Sequence, residues 1–241
     1  MLMFIMNLSG KRALVTGGAV RIGKAIVQAL QAEGVDVVVH FFGSKQEAEM
    51  LSPFTVRADL GNLDEVSGLI EAAGPLDILI NNASLFTKDT LAEAQPERAL
   101  REMNVNLLAP MELTRCFAKQ TTRGAVINLL DRRIRANDPA ALPYSLSKKG
   151  LEELTKLTAL ELAPGIRVNG VAPGPILPPP GESVEHFADR AGNIPLQLFP
   201  TPENIAEAVI FLLKADFCTG QVMFVDGGQH LLGNGVFDQG V

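Results

Sequence analysis

Cysteine is scarce in this chain: Cys116 and Cys218 are the only two. Two thiols cannot build a disulfide framework, and these lack the spacing of metal ligands. Buried thiols in a reducing cytoplasm are therefore expected, with no metal. Positive charge is also short, with 21 Lys and Arg against 27 Asp and Glu and a net charge of -6, which argues against a nucleic-acid partner. No apolar run approaches the length of a membrane span. The apolar start, MLMFIMNLSG, lacks a basic region and a small-residue cleavage site and does not resemble a signal peptide. No repeat of solenoid period and no linker-like stretch divides the sequence, so residues 1–241 are expected to form one domain. What is present is apolar bulk: 47% of 241 residues are hydrophobic, enough for the core of one large α/β domain.

Strand-like and helix-like stretches alternate along the chain. Strands are expected at 13–15, 35–40, 54–58, 76–80, 125–130, 166–171 and 221–225. Between them fall helices from 22, over 46–51, 63–73, 96–119 with Pro110 as an internal kink, 143–163 and 202–214. Residues 176–200 are rich in Pro and Gly and are expected to be a loop. The alternation predicts βαβ units: a doubly wound parallel sheet, the Rossmann arrangement, with helices on both faces. Ligands of such sheets sit beyond the carboxyl ends of the strands, so the residues following each strand are the site candidates.

The first of these turns is Thr16-Gly17-Gly18, between an apolar strand and a helix on which Ile22, Ala25, Ile26, Ala29 and Leu30 recur at helical spacing. Free N–H groups at such a helix start favour the pyrophosphate of a dinucleotide; an ordinary strand-to-helix connection gives the same glycines. Gly17 and Gly18 permit the tight turn and Gly23 the close approach of helix to sheet. The single tyrosine, Tyr144, lies four residues before Lys148, so on a helix the two share a face. An ammonium near a phenol favours the phenolate and lowers its pKa from ~10, making a general acid usable near neutral pH. An exposed polar pair has the same spacing.

Taken together and in order, these segments resemble the short-chain dehydrogenase/reductase family over nearly the whole chain. The resemblance implies hydride transfer with a nicotinamide cofactor. Gly17, Arg21 and Ile22 fall in the cofactor turn, Asp59 and Leu60 at the adenine, and Asn82, Ala83 and Ser84 after the fourth strand. Pro173 and Gly174 fall near the nicotinamide, and Asn106 where the family holds a relay water. Tyr144 would exchange the substrate proton, while Lys148 would bind the nicotinamide ribose and lower the tyrosine pKa. Where the family usually has a glycine and a catalytic serine, this chain has Arg21 and, thirteen residues before Tyr144, Asp131. The pteridine reductase branch is similar at both places, and its Asn-Ala-Ser-x-Phe matches Asn82 to Phe86.

That branch implies a pterin substrate, with Phe86 stacking on one face and Asp131 pairing with the donor edge. Arg21 would serve pterin and phosphate, Ser84 both ring and phosphate, and Asp131, Tyr144 and water would supply the proton. Phe86 could instead be a core aromatic, Arg21 a solvated side chain and Asp131 a strand-end cap. Arg132, Arg133 and Arg135 are possible partners of Asp131 in what looks like a solvated basic loop. After the second strand, His40-Phe41-Phe42-Gly43-Ser44-Lys45 has no carboxylate before Glu47. This favours NADPH over NADH, with His40 and Ser44 as ligands and Lys45 as a source of charge; a strand-end His40 bonded to backbone is the alternative. A family threonine near the nicotinamide is replaced by Pro178. Residues 177–195 are expected to be the substrate loop. The rival expectations are a carbonyl reductase acting on 3-oxoacyl thioesters and a non-catalytic NADPH-binding protein. The family also implies a homotetramer packed through the helices at 96–119 and 143–163.

Overall fold

The structure is a computed structural model that describes residues 7–178, 183, 186–187 and 191–232. The apolar start and much of the expected substrate loop at 177–195 fall outside these residues.

Seven parallel strands form one sheet: β1 (Arg12–Val15), β2 (Asp36–Phe41), β3 (Thr55–Arg57), β4 (Ile78–Asn81), β5 (Gly124–Leu129), β6 (Ile166–Pro173) and β7 (Val222–Val225), in the order β3-β2-β1-β4-β5-β6-β7. The order reverses between β1 and β4, where Leu14 pairs with Leu79 and Val38. Period-two alternation splits the apolar strand residues between two cores. Val15, Ile78 and Ile80 pack under α1 (Arg21–Ala32) with Ile26 and Leu30. Leu14 and Leu79 pack on the other face with Ile70, Leu113 and Phe117. The remaining long helices are α2 (Lys45–Leu51), α5 (Pro96–Met103), α6 (Ala109–Gln120), α7 (Leu142–Glu161) and α8 (Pro202–Lys214). Among the described residues, no helix is long and apolar enough to cross a membrane.

Two expected helices differ in a physically informative way. The stretch 63–73 is two short helices, α3 (Leu63–Ser67) and α4 (Leu69–Ala73), separated at Gly68, a weak helix former. The stretch 96–119 is continuous but is interrupted by a π turn at Asn104–Leu108 rather than by a proline kink. Pro110 has no N–H to donate to the carbonyl of Asn106, and the wider turn accommodates that missing bond.

Candidate active site

The carboxyl ends of β1 and β4 are fastened together. Thr16 Oγ1 donates to the Ile80 carbonyl at 3.3 Å and accepts the N–H groups of Asn82 at 2.9 Å and Ala83 at 3.0 Å. Asn82 Nδ2 donates in return to the carbonyls of Thr16 and Gly17 at 2.8 and 3.0 Å. Gly17 has φ +59°, and a Cβ there would stand 3.0 Å from Ala83 Cα. A Cβ on Gly23 would stand 2.1 Å from the Gly17 carbonyl oxygen, closer than any side chain tolerates. No side chain caps the start of α1, and its first turn carries no acid. The result is a tight cradle below a helix N-terminus, suited to a diphosphate.

Arg21 adopts φ +54°, a left-handed conformation uncommon outside glycine. Its guanidinium donates to the carbonyls of Leu177 at 3.3 Å and Pro178 at 3.1 Å, tying the turn to the segment beyond Pro173-Gly174. His40 does not present its ring to a ligand space. It is 2% exposed; Nδ1 accepts the Gly17 N–H at 3.0 Å and Nε2 donates to the Ala58 carbonyl at 3.1 Å. Burial lowers its pKa to about 4, so the ring is a neutral strut. The backbone alternative is therefore the observed one, because a polar side chain inside a strand buried on both faces must find its partners in neighbouring backbone.

Beyond β2, Ser44 is the N-cap residue of α2, and Lys45 reaches Glu49 at 3.6 Å. Asp59 accepts the Gly61 N–H at 2.8 Å and pairs with Arg101 at 3.0 Å, next to the buried Leu60. Sequence reasoning passed over Arg57. It ends β3 opposite Phe41, is exposed, and lies with its guanidinium 5.3 Å from the centroid of the Phe42 ring. The signal available was a cation closing the strand beside β2.

The residues expected to carry the chemistry meet beyond β5. Asp131 caps the 3-10 turn Arg132–Arg135 by accepting the Arg133 N–H at 2.8 Å. Tyr144, near the start of α7, donates its hydroxyl to Asp131 Oδ2 at 2.9 Å. The Arg133 guanidinium is 3.2 Å from the same oxygen, and its Nε donates to Asp138 at 2.8 Å. Phe86 is 40% exposed rather than a core aromatic; it meets the Tyr144 ring edge-on at 4.7 Å. Lys148 is buried, donates to the Leu129 carbonyl at 2.8 Å, and lies 5.7 Å from the Tyr144 ring centroid.

Asn106 spends its side chain on structure: its oxygen accepts the Ser84 hydroxyl at 3.1 Å and the Leu85 N–H at 2.8 Å. Its nitrogen donates to the Leu85 carbonyl at 2.8 Å and Ser147 Oγ at 3.0 Å. Thr87 is held by Glu102, a fully buried carboxylate that accepts its N–H at 2.9 Å and its hydroxyl at 2.7 Å. Burial raises the pKa of Glu102 against those two bonds.

Two sequence expectations are overturned here. The phenol pKa is not lowered: burial and then the Asp131 carboxylate push it well above the ordinary value, and the opposing cation is Arg133, not Lys148. Lys148 is itself lowered to about 8 by burial. Nor is the basic run a solvated loop. Arg132 is 5% exposed and Arg133 is mostly covered, while Arg135 pairs with the buried Glu152.

With that geometry established, the relatives are informative. The family model described as enoyl-(acyl carrier protein) reductase, from the short-chain dehydrogenase/reductase group, matches residues 18–230. A granaticin polyketide synthase putative ketoacyl reductase 2 from Streptomyces violaceoruber is 36% identical, covering 91% of this chain and 96% of the relative. The 3-oxoacyl-[acyl-carrier-protein] reductase FabG of Staphylococcus aureus is 34% identical over 92% of this chain and 98% of its own length. Among solved structures, FolM alternative dihydrofolate reductase 1 from Brucella canis, complexed with NADP, superposes with a TM-score of 0.89 at 36% identity. That match covers 93% of this chain and 96% of the other. The chain belongs to the short-chain dehydrogenase/reductase family.

Proposed function

We propose that this oxidoreductase is an NADPH-dependent reductase of the pteridine reductase type, reducing a C=N bond of a dihydropterin. The observation that carries the reading is the bonding of Asp131. Among the described residues, every hydrogen-bond partner of its carboxylate donates: the Arg133 N–H, the Arg133 guanidinium and the Tyr144 hydroxyl. A carboxylate accepts only, so a ligand group meeting it must be a donor. The amide N–H and amino group of a pterin are donors; a ketone oxygen is not. The NADP-bound FolM structure supports the same reading by similarity.

The start of α1, with no capping side-chain bond and no acid in its first turn, fits the diphosphate of a dinucleotide, and Gly17 and Gly23 allow the tight turn beneath it, where an added Cβ would meet Ala83 or the Gly17 carbonyl. When bound, NADPH supplies the hydride. Ser44, the N-cap residue of α2, and Arg57, the last residue of β3, would provide hydroxyl and charge for a 2′-phosphate, with no carboxylate among residues 40–46 to oppose it. Lys148, Pro173 and Gly174 would hold the nicotinamide end. Tyr144 holds a proton on Oη, kept there by its raised pKa, and releases it to the substrate while Asp131 orients the phenol. Phe86 offers its exposed face to a flat ring, and Arg21 and Ser84 line the approach. Leu146, Leu157 and Leu160 are exposed along α7 and suit packing against another copy in a tetramer.

The ketoacyl reductase relatives favour a second reading, reduction of a 3-oxoacyl thioester. NADPH oxidation at 340 nm with dihydrobiopterin, dihydromonapterin, dihydrofolate and acetoacetyl-CoA separates the two. Turnover of pterins is expected; turnover of the thioester alone overturns the pterin reading. Tyr144→Phe should lower turnover by roughly 10²–10⁴-fold while NADPH still binds.

A further inference from the structure

We infer that Arg133 is a positioning residue that fixes the Asp131 side chain beside Tyr144 with its oxygens turned to accept, and so favours substrates offering hydrogen-bond donors over carbonyl substrates. The inference rests on the proposed site, and it concerns a residue to which the family resemblance gives no role.

Asp131 caps the turn that carries Arg133, and the side chain of Arg133 folds back on the residue that caps it. Its guanidinium reaches both carboxylate oxygens of Asp131, at 3.4 and 3.2 Å, and its other edge is fixed by Asp138 at 2.8 Å. Asp138 is fixed in turn by accepting the Ala140 N–H at 3.1 Å. The planar group therefore has little freedom to move. It also lies 5.2 Å from the centroid of Phe86 and 5.8 Å from that of Tyr144, so one cation touches both the charged partner and the aromatic wall. The three contacts of Asp131 all use its oxygens as acceptors.

The charged and titratable groups facing Asp131 are few. Tyr144 and Lys148 come from α7, and Arg132 and Arg133 from the turn. Asp138 faces Arg133, and Asp226, beyond β7, faces Arg132. Of the cations among the described residues, Arg133 alone is in contact with the carboxylate. Removing its guanidinium leaves the Tyr144 hydroxyl and a backbone N–H as the contacts, and the Asp131 side chain is free to turn. Its acceptor edge is then no longer held towards a donor on the substrate.

The test uses Arg133→Gln, which removes the charge but keeps hydrogen-bonding capacity, and Arg133→Lys, which restores the charge. Both are first checked for folding by circular dichroism. In Arg133→Gln, kcat/KM for the dihydropterin should fall about tenfold at neutral pH, mostly through KM. The preference for pterin over acetoacetyl-CoA should fall by a similar factor, and Arg133→Lys should recover most of each effect.

A second readout needs no substrate. Tyr144 is the only tyrosine and the chain has no tryptophan, so tyrosine emission reports this phenol alone. A phenol bonded to a carboxylate is quenched, and the quench is relieved when the carboxylate turns away. Tyrosine emission at neutral pH should therefore rise in Arg133→Gln and return towards the wild-type level in Arg133→Lys. Equal losses for both substrates, with emission unchanged, would overturn the inference. If the wild type reduces no pterin, the proposed function fails, and the emission still decides the role of Arg133.

Discussion

Replacing Lys148 by Met should abolish activity and make the cofactor-free protein more stable. Lys148 is 2% exposed, and its ammonium has three donors, one of them given to the Leu129 carbonyl. Burial lowers its pKa from 10.5 to about 8. That gap corresponds to about 3 kcal/mol against carrying the charge at neutral pH, at ~1.4 kcal/mol per pH unit. Met fills a similar volume without the charge. Losing the bond to Leu129 costs roughly 1–2 kcal/mol of this, leaving a gain of about 1–2 kcal/mol. For a chain of this size the melting temperature should rise by about 4 °C.

The pH dependence gives the sharper check. The folded-state value lies below the unfolded one, so between pH 8 and 10.5 the unfolded chain binds more protons and wild-type stability rises with pH. The advantage of Lys148→Met should therefore shrink by about 2 kcal/mol between pH 7 and pH 9.5. Thermal unfolding of both proteins by circular dichroism, without cofactor, measures this. A variant less stable at pH 7, or an advantage that does not change with pH, would refute the reasoning.

Gly23→Ala should shift the Gly17 carbonyl or Asn82, which an added Cβ meets at 2.1 and 2.7 Å. Destabilisation of about 2–3 kcal/mol and weaker NADPH binding are expected, read by urea unfolding and by titration of cofactor fluorescence. Arg57→Met should raise KM for NADPH roughly tenfold, as loss of one charge-assisted phosphate contact implies, and leave KM for NADH unchanged. Equal effects on both cofactors would remove Arg57 from the phosphate site. His40 has a folded pKa of about 4 against 6.5 unfolded, so its contribution is present above 6.5 and lost as pH falls through 4. Wild type should lose about 2 kcal/mol through this group between pH 7 and pH 5, and His40→Asn should lack that part of the loss in urea titrations at the two pH values.

The parallel sheet and the ligand end of its strands were legible because their signals are local: apolar runs, glycine turns and the spacing of Tyr144 and Lys148. The pairing of Asp131 with Tyr144 was legible only through family resemblance. Arg132 and Arg133 were misjudged because charge along a sequence suggests solvent, whereas here a tight turn folds Arg133 back onto Asp131 and Asp138. The cation governing Tyr144 was misassigned for a related reason. A four-residue spacing puts Lys148 on the face of the phenol, but its ammonium turns to a strand carbonyl. The burial of His40 depends on what covers the second strand, which no window of sequence contains.

The π turn at Asn104–Leu108 has one more consequence. Glu102, Asn106, Ala109, Leu113 and Phe117 recur at the three- and four-residue intervals that would align them along one side of an unbroken α-helix. They do not share a destination. Glu102 and Asn106 hold the segment from Ser84 to Thr87, whereas Leu113 and Phe117 enter the core beneath the sheet. The wider turn acts as a gear between two halves of one helix, shifting their phase by about one residue's rotation, ~100°. Chain length there is consequently a functional variable: removing one residue from 104–108 would keep the helix and the sheet but swing Asn106 away from the site it braces.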